Sequence, residues 1–229
     1  ELVIENVPEN LELKREVFAA IDALAPPGAV FATNSSSIPA SRIAGATGRP
    51  ERVLNVNFGN PPEDELLVEV MAAAQVPPAV MVAVEEFLCD IGTVPIVSRR
   101  EIMGFSFNRV WRAIKRENLH LVGDGVCHFE DLDRAWILTF GTRRGPFAMM
   151  DAIGLDVIRD IEDQYFADSR DERDRPPRFL ERMLKAGRVG VKSGRGFYRY
   201  PQPEFGAPGW LRKESPWSRE HAVELEDGL

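Results

Sequence analysis

Residues 29–37 read Ala29-Val30-Phe31-Ala32-Thr33-Asn34-Ser35-Ser36-Ser37, a short apolar run that passes without interruption into an amide and three hydroxyls. A run of this kind, bounded by a turn signal, is what a strand buried on both faces looks like. The polar residues at its end fall where an open α/β sheet binds its ligands. Taken alone, the same segment also reads as an ordinary Ser/Asn turn capping the next helix. Its neighbours supply the context.

Before it, the pattern predicts a strand at Leu2 to Val7 and a helix near Leu11 to Leu24. After it come a short helix at Ser41 to Ala46, strands at Val53 to Phe58 and Leu66 to Val70, a helix at Pro78 to Ile91 and a strand at Val94 to Val97. Pro78 suits a first helical turn, where a missing N–H costs nothing, and Gly92 stops the helix after Val80, Val84, Phe87, Leu88 and Ile91 have recurred at helical spacing. Alternating elements with apolar strands predict an α/β domain over residues 1–100 with a mostly parallel sheet. From Arg100 onward the strand signals stop. Helices are expected at Phe107 to Val122, Phe129 to Leu138, Gly145 to Phe166 and Arg178 to Ala186, which makes residues 101–200 an all-helical second domain. In the first of these helices Val110, Ile114 and Leu121 are expected inward, and Arg112, Lys115 and Arg116 outward. Residues 168–177 read as a charged loop, and 201–229 as an irregular, surface-bound tail.

The 229 residues carry 28 Lys+Arg against 36 Asp+Glu, a net charge of −8, so the broad basic field that nucleic acid attracts is missing. Local runs such as Arg99-Arg100 and Arg143-Arg144 leave room for one small anion. No apolar run approaches the roughly 20 residues that cross a bilayer, so no membrane partner is expected. Cys89 and Cys127 have no companions at zinc-ligand spacing; the expectation is no metal, two buried reduced thiols and a cytoplasmic compartment. Trp111, Trp136, Phe147 and Met149-Met150 exceed what the helical domain needs for its own core, which predicts dimerisation through that domain. The chain starts without Met, in what reads as a core strand; the expectation is a start inside a domain.

Glu69 lies between apolar neighbours in Leu67-Val68-Glu69-Val70, so it is either paired inside or turned to water on an edge strand. Together with Leu2-Val3-Ile4-Glu5, Pro8-Glu9-Asn10-Leu11, Asn34-Ser35-Ser36-Ser37, Asn60-Pro61, Gly104-Phe105 with Asn108-Arg109, Gly145-Pro146-Phe147 with Asp151 and Lys192-Ser193-Gly194-Arg195-Gly196-Phe197-Tyr198, this segment resembles the L-3-hydroxyacyl-CoA dehydrogenases of fatty-acid metabolism. The landmarks keep family order and nearly family spacing to about Tyr200.

The resemblance implies a Rossmann-type NAD-binding domain and a helical domain of the 6-phosphogluconate dehydrogenase kind that dimerises. It also implies an acyl-CoA substrate, whose 3-hydroxyl is oxidised by hydride transfer to nicotinamide. It assigns Ser36 to the substrate oxygen and the nicotinamide, Glu69 to the orientation of the catalytic histidine, and Asn108 to the active site. Glu9, Lys14, Asn34, Asn60 and Lys192 are assigned to the dinucleotide. Two features depart from the family. Asn57 stands where the histidine belongs, and no Gly-x-Gly-x-x-Gly fingerprint follows a strand. A related hydroxy-acid dehydrogenase of the gulonate or carnitine type, or a catalytically silent binding homologue, is therefore the alternative to a dehydrogenase with weakened chemistry.

Overall fold

The computed structural model describes residues 1–59, 66–102 and 104–212, which form two compact units, one spanning Glu1–Val110 and one beginning at Trp111. The first holds a sheet of five strands, β1 (Leu2–Glu5), β2 (Val30–Thr33), β3 (Val53–Phe58), β4 (Leu67–Ala72) and β5 (Val94–Ser98), in the order β1-β2-β3-β4-β5. Helices α1 (Leu11–Leu24), α2 (Ser41–Ala44) and α3 (Pro78–Asp90) lie between β1 and β2, β2 and β3, and β4 and β5, and those three pairs are parallel. β3 and β4 pair antiparallel, which the short stretch of sequence between them allows. The sheet is mostly parallel, as its sequence leads one to expect.

The two faces of this sheet are distinct. Leu54 and Val56 of β3, with Val68 and Val70 of β4, pack under Val80, Val84 and Leu88 of α3. On the other face Phe31 and Val53 meet Phe18 of α1 and Ile43 of α2. Burying each such side chain is worth about 1.5–3 kcal/mol, so both helical layers are firmly attached. One expectation fails here: Cys89 is exposed rather than buried, because it lies on the outer side of α3, away from Val80, Val84 and Leu88.

The second unit contains most of α4 (Ser106–Gly123), then α5 (Phe129–Phe140), α6 (Pro146–Ile153), α7 (Leu155–Ser169) and α8 (Arg178–Lys185). The single helix expected from Gly145 to Phe166 is two. Gly154 divides them with φ of 106°, a backbone conformation that side chains rarely adopt and a helix cannot contain. The inward face of α4 is also not the expected one. Lys115, Leu119 and Val122 are buried, at i, i+4 and i+7, while Val110 is 57% exposed. Lys115 Nζ lies 3.4 Å from Glu162 of α7, and Arg112 lies 3.0 Å from Glu162 and 2.8 Å from Asp174. Arg116 reaches Asp174 at 2.7 Å. Pairing makes the burial of these charges tolerable, and their apolar stems fill the remaining space. Asp174 itself sits in a short 3-10 turn, Glu172–Asp174, inside what reads from sequence as a plain loop.

Two further expectations are corrected in this unit. Residues 201–212 are not a loose surface strip: Trp210 is buried and Phe205 packs against the core formed by Phe147, Met150, Phe179, Phe197 and Tyr198. Phe147 and Met150, expected to mark a dimer surface, are wholly inside that core. The apolar residues left exposed are others, among them Leu138 and Phe140 of α5.

Candidate active site

Strands β1, β2 and β3 run parallel, so their carboxyl ends share one edge of the sheet. Side chains alternate across a strand, so Glu5, Thr33, Asn55 and Asn57 fall on one face near that edge. The register then sets Glu69 of β4 directly opposite Asn57. This row of polar groups crosses strands that are otherwise apolar.

At one end of the row Glu5 is buried and holds Lys14, whose Nζ donates to both Glu5 oxygens at 2.9 and 3.1 Å and to the Val7 carbonyl at 3.1 Å. Thr33 Oγ1 donates to Glu5 at 2.8 Å. Lys14 also lies 3.3 Å from the carboxylate of Glu9. It is neither a solvated helix-start charge nor an exposed ligand, because it is fully buried between two carboxylates. Glu9 keeps part of its side chain in solvent and accepts hydrogen bonds from Ser35 Oγ and, at 2.6 Å, from Ser37 Oγ. Burial pushes its carboxyl pKa up, but the Ser35 and Ser37 hydroxyls and the Lys14 charge outweigh it and hold the group below the usual glutamate range. Ser35 and Ser37 are thus pinned on either side of Ser36, which is exposed.

The loop after β2 is tied to β3 by Asn55, which reading the sequence overlooks. Its Oδ1 accepts from Ala40 N–H at 2.7 Å and its Nδ2 donates to the Ile38 carbonyl at 3.0 Å. Asn34 completes the connection by accepting from Phe58 N–H at 2.8 Å and donating to Asn6 at 2.7 Å. Glu5 and Asn55 both carry a readable signal: each is a polar residue flanked by apolar ones in a strand, and buried there it must find a partner inside.

At the other end of the row Glu69 is buried and accepts the Phe107 N–H, in the first turn of α4, at 2.8 Å. An N-terminal turn carries unsatisfied N–H groups and a partial positive charge, and a carboxylate answers both. Asn108, the next residue, is half-buried. The hydrogen bonds thus link Asn57, Glu69 and the Asn108 turn through one pairing register, and link Glu9, Lys14 and the serine loop through another set of bonds. Asn60 lies outside the described residues. Lys192 belongs to the second unit, where its Nζ is 2.6 Å from Asp156 in an exposed pair.

The first 110 residues contain no histidine. His120 lies on α4, 2.9 Å from the Arg173 carbonyl, and His128 caps α5. Among the described residues no three side chains form a metal-binding group, and no helix is long and apolar enough to cross a membrane.

Residues 1–102 match the family described as 3-hydroxyacyl-CoA dehydrogenase, NAD binding domain, and residues 104–200 match its C-terminal domain. The chain is 34% identical over 203 residues to 5-formyl-3-hydroxy-2-methylpyridine 4-carboxylate 5-dehydrogenase of Mesorhizobium japonicum, covering 87% of this chain and 65% of that protein. It is 36% identical over 201 residues to 3-hydroxybutyryl-CoA dehydrogenase of Mycobacterium tuberculosis, covering 87% of this chain and 70% of that one. The crystal structure of (S)-3-hydroxybutyryl-CoA dehydrogenase from Ralstonia eutropha superposes with a TM-score of 0.80 at 31% identity, over 88% of this chain and 71% of the other.

Proposed function

The chain belongs to the 3-hydroxyacyl-CoA dehydrogenase family, a family of NAD-using oxidoreductases, and from that premise we propose that it serves the interconversion of a 3-hydroxyacyl-CoA and its 3-ketoacyl-CoA. Its turnover is weakened by the amide at Asn57. The observation that carries this reading is the pairing of Asn57 with Glu69, whose carboxylate is already bonded to the turn that carries Asn108.

The residues at the strand ends suit the cofactor. Ser36 offers a solvent-facing hydroxyl, and the two serines beside it are fixed by Glu9, which remains partly exposed and ionised. Glu9 and Ser36 would hold the nicotinamide end of the dinucleotide, with Asn34 bracing the strand ends. Lys14 contributes by fixing Glu9 rather than by touching the ligand. Asn60 and Lys192 are assigned to the dinucleotide by family position alone. NAD, when bound, accepts or returns the hydride at its nicotinamide.

Oxidation of the hydroxyl also releases a proton. A histidine beside a carboxylate can take it; an amide can donate a hydrogen bond to the substrate oxygen but does not exchange protons near neutral pH. Asn57 and Ser36 therefore orient the oxygen, and the proton leaves to solvent without a positioned base. Loss of such a base costs about 10²–10⁴-fold in rate. Replacing Asn57 by His tests the assignment, with a gain in turnover expected. The same amide favours a second reading, a homologue that binds its ligands and does not turn them over; a thermal-shift response to NAD or acyl-CoA with no gain on Asn57→His would select it.

A homodimer through the helical unit fits the apolar residues Leu138 and Phe140 left exposed on α5. A reducing, cytoplasmic setting fits two free thiols, one of them exposed.

A further inference from the structure

The run Arg143-Arg144 stands just before α6, and neither residue enters the reaction proposed above. Arg144 lies at a cavity of about 440 Å³ in the helical unit, a volume in the range of small-molecule sites. Ala148 and Ala152, at i and i+4 on α6, line this cavity together with Pro201, Pro203 and Phe205. The small alanine side chains leave the space open, and the prolines and Phe205 make its surface largely apolar.

An exposed arginine is ordinarily only solvated; Arg144 differs in what surrounds it. Its carbonyl accepts from Thr142 Oγ1 at 2.9 Å, while among the described residues its guanidinium has no carboxylate partner. No acid lines the cavity. Asp151, beside Ala152, is buried and accepts from the Phe197 and Tyr198 N–H groups, both at 2.9 Å, and from the Tyr200 hydroxyl at 3.1 Å. Tyr200 also lines the cavity, and burial together with the Asp151 charge holds its phenol well above the ordinary tyrosine range, so it stays neutral. The Arg144 charge acts on the same phenol in the opposite direction, which places the guanidinium near that ring. The walls are fixed in advance. Tyr200 N–H donates to the Gly194 carbonyl at 2.9 Å, and Phe205 packs edge-on against Tyr198 with ring centroids 4.9 Å apart. A preformed apolar cavity with one unanswered cation binds, at low ordering cost, a molecule that brings both an anion and apolar surface.

We propose that the cavity lined by Arg144, Ala152, Tyr200 and Phe205 binds a small monocarboxylate with an apolar body, its carboxylate on the Arg144 guanidinium. Guanidinium and carboxylate match as a bidentate pair, and one cation answers one negative charge, whereas a phosphate dianion would be left half compensated. Tyr200, Phe205 and the two prolines supply surface for the body. The cavity belongs wholly to the helical unit and shares no residue with the row of polar groups on the sheet, so it stands or falls apart from the proposed dehydrogenase reaction.

The test is calorimetric titration of the whole chain with benzoate and, separately, with hexanoate, each compared with its neutral amide at constant ionic strength set by chloride. Binding of either acid, tighter than its amide by about tenfold or more, is the expected result. Arg144→Gln keeps the backbone carbonyl that Thr142 uses and should weaken that binding by about tenfold or more, with the melting temperature unchanged in the absence of ligand. Ala152→Leu leaves the guanidinium in place and fills the cavity instead. Ala152 is exposed and leucine is a good helix former, so the fold tolerates the change while binding falls to a similar extent. Binding of one acid without the other supports the proposal and identifies the body as aromatic or aliphatic. Absence of binding by both acids at millimolar concentration, amides that bind as tightly as the acids, or an affinity that either variant leaves unchanged overturns the proposal.

Discussion

Glu69 persists opposite an amide, and its bond to the Phe107 N–H supplies a reason that needs no imidazole. A buried carboxylate that caps a helix is costly to lose whether or not it also orients a base. Glu69→Gln retains a carbonyl able to accept that N–H and should cost little stability. Glu69→Leu removes that acceptor from the helix start and should cost about 0.5–2 kcal/mol, measured by urea unfolding. Equal losses in the two variants would remove the capping role. The sequence marks Glu69 as either paired inside or exposed at an edge, and its partner, 38 residues further on, cannot be read from local pattern. Lys115 was hidden in the same way. Its charge argues for the outside of α4 until Glu162 of α7 is placed beside it.

Among the elements, α6 shows how the helical unit is locked. Asp133 of α5 accepts the Phe147 and Ala148 N–H groups at 2.8 and 3.0 Å, together with the Tyr198 hydroxyl at 2.9 Å. Asp151 accepts the Phe197 and Tyr198 N–H groups, both at 2.9 Å. Burial raises Asp133 from 3.8 to about 6, against the hydrogen bonds that favour its charged form, and raises Asp151 as well. A carboxyl whose folded pKa lies above its unfolded value stabilises fully below the unfolded pKa, and that contribution is lost as pH rises through the folded one. Relative to Asp133→Asn, the protein should therefore lose about 2 kcal/mol between pH 4 and pH 7; parallel urea-stability profiles for the two would contradict the assignment. Close packing around Asp151 makes a second demand. A Cβ on Gly196 would run into the Asp151 carboxylate, whereas one on Gly28 would meet nothing. Gly196→Ala should cost about 1–3 kcal/mol by overpacking, and Gly28→Ala well under that; equal effects in thermal unfolding would deny the tight fit. Apolar period and Pro/Gly punctuation located nearly every helix and strand. The break at Gly154 is the exception, because an isolated glycine within a helical pattern does not by itself reveal a positive φ.

For the whole molecule, two compact units, one a mostly parallel α/β sheet and one helical, follow from a change of hydrophobic period that is plain in the sequence near residue 100. The surface of the helical unit is less legible, since large apolar residues signal burial without saying whether the same chain or a second copy covers them. Phe147 and Met150 turned inward, and Leu138 and Phe140 remain outside. If they form the proposed dimer interface, Leu138→Glu with Phe140→Glu should convert a dimer to a monomer in light scattering at micromolar concentration; a monomeric parent would count against the dimer. The candidate site was legible as a set of residue types at strand ends, and its hydrogen bonds were not. The central claim, that Asn57 occupies the position of the missing base, is tested most directly by turnover of acetoacetyl-CoA with NADH in the longest reading frame that contains this chain, comparing the parent with Asn57→His. The parent should be slow and the histidine variant faster by about tenfold or more, with a pH dependence near the imidazole pKa of roughly 6.5. A parent that already turns over at about 10 s⁻¹, or a histidine variant no faster than a slow parent, would contradict it.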